Sequence, residues 1–416
     1  MEPDSERGGY KVYGYRWVVL SVYALNNVLI QVMWTTFFSI TTIAWQYYGF
    51  TDSVKGESAI SMLSVIFMIG MVILSVPVMW IFERWGFKKA VGLGCIIMAI
   101  SAIARGVFGT SYMGLIITTI GFSIAQPFIL NSPGMVAGRW FPENERATAN
   151  SVALLAGYAG MCVGLLLTPT FLGAMGIKGI LMLYGWLSVG GAALFLIFVK
   201  ERPATPPCAE EDVIRSDFKD GLKHALKQRN YVVSVIVFFC LLGVFNTFFT
   251  DIEQLMKTLG GNISSTKVGL LGVMILVVGI IGSLILSMIS DKDKERRRLR
   301  YIIGANIIGC VGLLLYSVLN GFGGMLAASL IYGFFTIGSA PVLLQYAAES
   351  CYPTSEGTSE GLLIWAGNVA GALFVGGASL LKGNYMLMFW LFVVVTVIAV
   401  IIMFMGKEVR LGKVMK

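Results

Sequence analysis

Apolar runs of about twenty or more residues, separated by short polar breaks, fill nearly the whole 416-residue chain. A helix rising 1.5 Å per residue crosses a hydrocarbon layer of ~30 Å in about 20 residues. By that ruler the pattern predicts twelve spans, over 16–46, 57–82, 88–108, 112–138, 147–174, 177–199, 231–256, 267–290, 301–320, 325–349, 358–381 and 384–406. The first run is too long for a signal peptide and has no small-residue cleavage site, so it is expected to remain as span one.

The breaks repeat. Glu83-Arg84-Trp85-Gly86-Phe87-Lys88-Lys89 follows the second run, and Asp291-Lys292-Asp293-Lys294-Glu295-Arg296-Arg297-Arg298 follows the eighth. Charge at the same place in each half predicts a duplicated, all-α membrane protein: twelve transmembrane helices in two pseudo-symmetric six-helix bundles, an architecture that usually moves solutes. The bundles are read as 1–199 and 231–416, with a cytoplasmic linker over 200–230. Prolines 203, 206 and 207 cannot continue a helix there, and Glu210-Glu211-Asp212 cannot enter hydrocarbon. Phe218, Leu222, Ala225 and Leu226 recur at helical spacing, so part of the linker should lie on the membrane surface or on the bundle's inner face.

Composition agrees. Residues are 56% hydrophobic and 13% charged, with mean hydropathy +0.79, against about a quarter charged in soluble domains. The net charge of +8 reports topology rather than nucleic-acid binding. With the amino terminus inside, 25 of the 31 Lys and Arg residues fall on the cytoplasmic side. Lys55, Arg105, Lys178, Lys257, Lys267 and Lys382 fall on the other. Positive loops stay inside, so both termini are expected in the cytoplasm and the chain in the plasma membrane. The six cysteines have no CxxC spacing and suit buried small hydrophobes. His224, the one histidine, lies in the linker. Neither a catalytic triad nor a metal site can be assembled, so the expectation is a carrier with no cofactor and not an enzyme.

Forty-nine glycines suit close helix packing in lipid, as with Gly157, Gly160 and Gly164 in span five and Gly361, Gly367, Gly371, Gly376 and Gly377 in span eleven. A part in rocking between conformations is the other reading. Polar residues within spans tend to face the interior, which makes Asn27, Gln31, Asn131, Gln345 and Trp365 candidates to line a path, beside Asn26, Asn246 and Asn368. Asp251 and Glu253 sit in the outer part of span seven. They are candidates for ion or proton coupling, although acids at span ends commonly just reach water. No acid lies at clear mid-depth, which favours a uniporter or potential-driven carrier.

Glu83-Arg84-x-Gly86-x-Lys88-Lys89 resembles the loop signature of the major facilitator superfamily, with Glu for the usual Asp and Met79 at the customary upstream Gly. Ser290-Asp291-Lys292 resembles a degenerate second copy, and Arg139-Trp140-Phe141-Pro142-Glu143-Asn144-Glu145-Arg146-Ala147 the loop between spans four and five. The resemblance implies alternating access around a central cavity. It also implies gating or structural roles for Glu83, Arg84, Gly86, Lys88, Lys89, Arg139, Glu145, Arg146, Asp291, Glu349 and Glu356.

A narrower resemblance is to the feline leukaemia virus subgroup C receptor family. It rests on Tyr15-Arg16-Trp17-Val18-Val19-Leu20, Met33-Trp34, Gln126-Pro127-Phe128-Ile129-Leu130 and, most specifically, Tyr352-Pro353-Thr354-Ser355-Glu356-Gly357-Thr358-Ser359-Glu360-Gly361-Leu362-Leu363. It implies choline or ethanolamine as substrate, haem being an older proposal, and a ligand site matching here at Trp34 and Gln126. The family's span-eleven Gln is replaced by Asn368, one methylene shorter. Its span-seven Tyr falls at Phe245 or Asn246, where the aromatic hydroxyl is lost or displaced.

The chemistry of these residues stands by itself. A tryptophan face attracts a quaternary ammonium by about 0.5–2 kcal/mol, and neutral amides orient polar groups without ionic desolvation. Trp34 lies about 27 Å along span one and Gln126 about 21 Å into span four from outside, depths that suit a shared pocket. Trp34 also suits an interfacial anchor, and Gln126 an interhelical hydrogen bond. The expected function is therefore a monomeric, choline-like carrier of a small molecule. The alternatives are a carrier of an organic anion, another metabolite or a drug, and a non-transporting receptor on the same scaffold. An anion carrier would need Arg105 and Lys257 to face the cavity.

Overall fold

The computed structural model describes residues 11–207, 218–261, 263–293, 297–319, 321–352, 354 and 356–408. The helices are α1 (Arg16–Thr35), α2 (Thr41–Tyr47), α3 (Ser53–Phe108), α4 (Tyr112–Leu130), α5 (Pro133–Trp140), α6 (Glu143–Phe198), α7 (Phe218–Ala225) and α8 (Arg229–Thr250). There follow α9 (Ile252–Gly260), α10 (Ser265–Lys292), α11 (Arg298–Val318), α12 (Gly321–Tyr332), α13 (Ala340–Ser350), α14 (Glu356–Ala378) and α15 (Tyr385–Met403). Eleven stretches among the described residues are long and apolar enough to cross a membrane. One of them, Thr148–Phe198, has 51 residues, about twice what a bilayer needs, and breaks at Gly176 (φ 64°). Divided there, the set becomes the twelve spans that the hydropathy pattern predicts.

The chain forms two compact units, 1–37 with 66–213 and 38–65 with 214–416. Residues 38–65, which the sequence assigns to the first bundle, thus group with the second unit.

In the first unit α1 lies along α6, with Val19, Tyr23, Ile30, Phe87, Phe122, Ile129 and Phe195 among the buried core side chains. Glycine sets that approach. A Cβ on Gly160 would stand 2.3 Å from the Val28 carbonyl oxygen, nearer than any real carbon contact. Overpacking of this kind costs about 1–3 kcal/mol. Gly160→Leu is therefore expected to lower the melting temperature of the purified protein by several degrees; an unchanged melting curve would show that the two helices can part freely. In α14 only some of the predicted packing glycines meet a neighbour. Gly367 abuts Leu242 of α8, whereas Gly361, Gly376 and Gly377 face open space.

The predicted first span is not one helix. It stops at Thr35, and α2 resumes at Thr41. The Thr35 and Thr36 hydroxyls donate back to the Gln31 and Val32 carbonyls at 2.9 and 2.7 Å, a competing bond that bends helices. The seventh span breaks similarly, α8 giving way to α9 at Asp251 (φ −108°, ψ 21°). The fourth breaks between Leu130 and Pro133, and the tenth through a π-helical turn at Gly333–Ile337. Interruptions thus fall in the first and fourth spans of each half, and such turns often mark functional places.

In the second unit the core includes Tyr231, Val237, Ile302, Leu343, Tyr346 and Leu363. The linker helix α7 belongs to it: Ala225 is fully buried while Leu226 is half exposed, so the bundle face is its partner. The Thr354 hydroxyl donates to the Gly221 carbonyl at 3.1 Å, and the Tyr231 hydroxyl to the Ser359 carbonyl at 2.7 Å. The most specific sequence motif thus seats the linker helix and α8. Cys208, the acidic run 210–212, Lys294–Arg296, Pro353 and Ser355, and the side chains of Glu83 and Glu356, lie outside the described residues.

Candidate functional site

In the first unit, Trp34 occupies the last turn of α1 and is half-buried against the core. Gln126 lies one residue before Pro127 in α4, only 7% exposed, and its Oε1 has no hydrogen-bond partner among the described residues. The same holds for Gln31 Oε1, Asn27 Oδ1, Asn26 Oδ1 and Asn150 Oδ1. The Asn26 amide nitrogen donates to the Val22 and Gly191 carbonyls, and that of Asn27 to the Ala153 carbonyl at 2.9 Å. Those bonds fix which end of each asparagine is left open. The amide ends left open on α1 and α4 are oxygens, which accept hydrogen bonds. Asn131 caps the carboxyl end of α4, its N–H donating to the Pro127 carbonyl.

In the second unit Asn246 of α8 is buried at 6% exposure. Phe245 beside it meets Phe249 in a tilted ring contact, centroids 4.7 Å apart and ring planes at 46°. Asn368 of α14 donates to its own helix at the Ile364 carbonyl, 2.9 Å away. Trp365 is exposed at 41%. Gln345 is drawn to the inner end of α13, 3.4 Å from Glu349, and takes part in a charge cluster.

That cluster and its counterpart organise corresponding helix ends in each unit. In the first, Glu201 at the end of α6 accepts from the Phe87 and Lys88 backbone N–H groups at 2.9 and 2.6 Å and pairs with Arg139. It reaches them where α3 kinks at Gly86, φ 79°. Arg16 pairs with Glu145 at 2.9 Å. Arg146 donates to the Phe141 carbonyl at 3.5 Å. Arg84 lies 4.3 Å over the Trp80 ring, and the Lys89 side chain is exposed. In the second unit Glu408, after α15, accepts from the Leu299 and Arg300 N–H groups at 3.2 and 3.0 Å. Arg298 pairs with Asp291 at 2.7 Å and Glu349 at 3.0 Å. Each unit thus closes the amino end of its third span with a glutamate that follows its sixth. The repeat of basic loops was legible in the sequence; these two acids, distant by more than a hundred residues, were not.

The opposite helix ends differ most from expectation. Asp251 and Glu253 do not reach water: both are wholly buried. Asp251 accepts from the Ser61 hydroxyl at 2.7 Å and pairs with Lys382, whose side chain is fully enclosed and donates to Ser61 at 2.8 Å. Glu253 accepts from Lys257 at 2.6 Å, the Thr42 N–H at 2.8 Å and the Ser265 hydroxyl at 3.3 Å. Tyr385 donates to Glu57. Lys382, counted from sequence as an outer loop charge, is a core residue. So is Arg105, 1% exposed. Five cysteines are free, and burial pushes the Cys351 thiol up, as suits an inert side chain. Among the described residues no cluster of His, Cys, Asp and Glu fits a metal ion.

Two repeated helical units with interrupted first and fourth spans, buried neutral amides and paired charges at span ends define a multi-pass membrane carrier. The Major Facilitator Superfamily profile matches residues 23–375, and the chain belongs to that superfamily. It is 26% identical to the mouse choline/ethanolamine transporter FLVCR1, over 93% of this chain and 75% of that one. It is 26% identical to human choline/ethanolamine transporter FLVCR2, over 90% and 73%, and to zebrafish solute carrier family 49 member A3, over 90% and 80%. In fold it is similar to a bacterial homologue of the human lysosomal transporter Spinster, crystallised inward-facing and unoccupied. There the TM-score is 0.74 at 14% identity, covering 97% of this chain and 99% of that one.

Proposed function

We propose that this transporter carries a small organic cation or amine alcohol of the choline and ethanolamine class across the plasma membrane by alternating access. In this reading it acts as a monomer with both termini cytoplasmic, and Trp34 and Gln126 recognise the cargo. The observation that carries the reading is the set of open acceptors, Gln31 Oε1 and Asn27 Oδ1 on α1, the helix that also carries Trp34, and Gln126 Oε1 on α4. Hydroxyl and ammonium groups donate to such oxygens, and an indole face holds a methylated ammonium. The choline/ethanolamine relatives support the same chemistry. Asn246 and Asn368 are likewise neutral, so no full charge need be desolvated against the cargo.

An organic anion finds less support. Arg105 is spent on carbonyl, hydroxyl and ring partners within the first unit, and Lys257 on Glu253. Asp251 and Glu253, the candidates for coupling, are held in ion pairs, which favours transport without proton coupling. Trp34→Ala is expected to weaken choline binding by the purified protein about 2- to 30-fold, the equivalent of 0.5–2 kcal/mol. Unchanged affinity for choline, ethanolamine and betaine would remove the reading.

A further inference from the structure

Arg105 is the largest fully buried polar side chain among the described residues. Placing a guanidinium inside a membrane bundle is costly unless its donors are engaged, and groups at two helices engage it. From α4, Thr119 accepts from Nη2, Thr118 Oγ1 lies 3.4 Å from Nε, and the Phe122 ring lies 4.5 Å from the guanidinium carbon. From the end of α1, the Met33 carbonyl accepts from Nη1 at 3.3 Å, and Phe37 beyond it lies 5.9 Å away. The Met33 carbonyl is among the last four of α1, which have no partner in their own helix, and a cation there also meets the negative end of the helix dipole. Trp34 is the next residue. On α4, Gln126 lies seven residues, two turns, beyond Thr119, so both project from one face.

We propose that Arg105 is a positioning residue for substrate recognition: it pins the carboxyl end of α1, and with it the Trp34 ring, to the face of α4 that carries Gln126. The proposal rests on the reading of Trp34 and Gln126 as the recognition pair. A planar fork of five donors spans two helices, whereas a lysine is a single point of attachment. Arg105→Lys keeps the charge and loses the bridge. Thr119→Val removes one strut with little change of shape and serves where Arg105→Lys does not fold.

The test uses the full-length protein labelled with 5-fluorotryptophan, with the Trp34 ¹⁹F resonance assigned through Trp34→Phe. In Arg105→Lys or Thr119→Val that resonance is expected to shift, while that of exposed Trp186 stays in place. Choline affinity should fall about tenfold with the maximal uptake rate within about twofold. Combined with Trp34→Ala, Arg105→Lys should cost far less than it does alone, as coupled residues do. An unmoved Trp34 resonance in both variants overturns the proposal whether or not choline is the cargo. So does wild-type choline affinity in both, or full additivity with Trp34→Ala. If Trp34→Ala itself leaves affinity intact, the recognition reading fails, and the proposal fails with it.

Discussion

Replacing Lys382 with methionine is expected to destabilise the protein by about 3–5 kcal/mol, because it strands Asp251 as an uncompensated buried carboxylate. Both side chains are fully enclosed, and the Ser61 hydroxyl, which donates to Asp251 at 2.7 Å, does not neutralise it. Asp251→Asn should do comparable harm from the other side by stranding the ammonium. The informative variant is the pair. Lys382→Met with Asp251→Leu removes both charges, and replacing a buried ion pair by apolar side chains is often neutral or favourable. The double variant should therefore melt near the parent, well above either single one. Melting curves of the four purified proteins in detergent measure this, and a double variant as unstable as the singles would mean that the pair is held for the backbone it positions.

Gly86→Ala is expected to be nearly as damaging, for a different reason. Gly86 sits at φ 79°, ψ 177°, a conformation essentially reserved to glycine, where other residues pay about 1–3 kcal/mol. Its missing Cβ is also occupied: an added carbon would stand 2.5 Å from Glu201 Oε1. The substitution therefore strains the kink and pushes away the carboxylate that satisfies the Phe87 and Lys88 N–H groups and holds Arg139. Glu201→Gln, which keeps the shape and loses the charge, should show a smaller loss of stability. A Gly86→Ala protein as stable as Glu201→Gln would place the whole effect in the carboxylate and none in the backbone. The resemblance to the loop signature implied a gating or structural role for Glu83, whose side chain lies outside the described residues. The described acid at the α3 kink is Glu201, at the end of α6.

Much of the architecture was legible because hydrophobic thickness and charge placement are local properties of the chain. Span number and the repeated basic loops follow from runs and breaks that need no partner to be recognised. The interruption of the first span was not legible, because Thr35 and Thr36 read as helix until their hydroxyls turn back on α1. Nor were the partners of the charges. Lys382 read as a loop lysine and Asp251 as a wet span end, since their pairing spans 131 residues.

The sequence by itself determined that this is a multi-pass helical carrier built from a repeated half. Only the tertiary structure decided which charges are structural: Arg105 bridging two helices, Asp251 enclosed with Lys382, and glutamates capping third spans from beyond the sixth. The reason is physical. Apolar length is written residue by residue, whereas a buried charge is tolerable only through partners that folding brings from far along the chain.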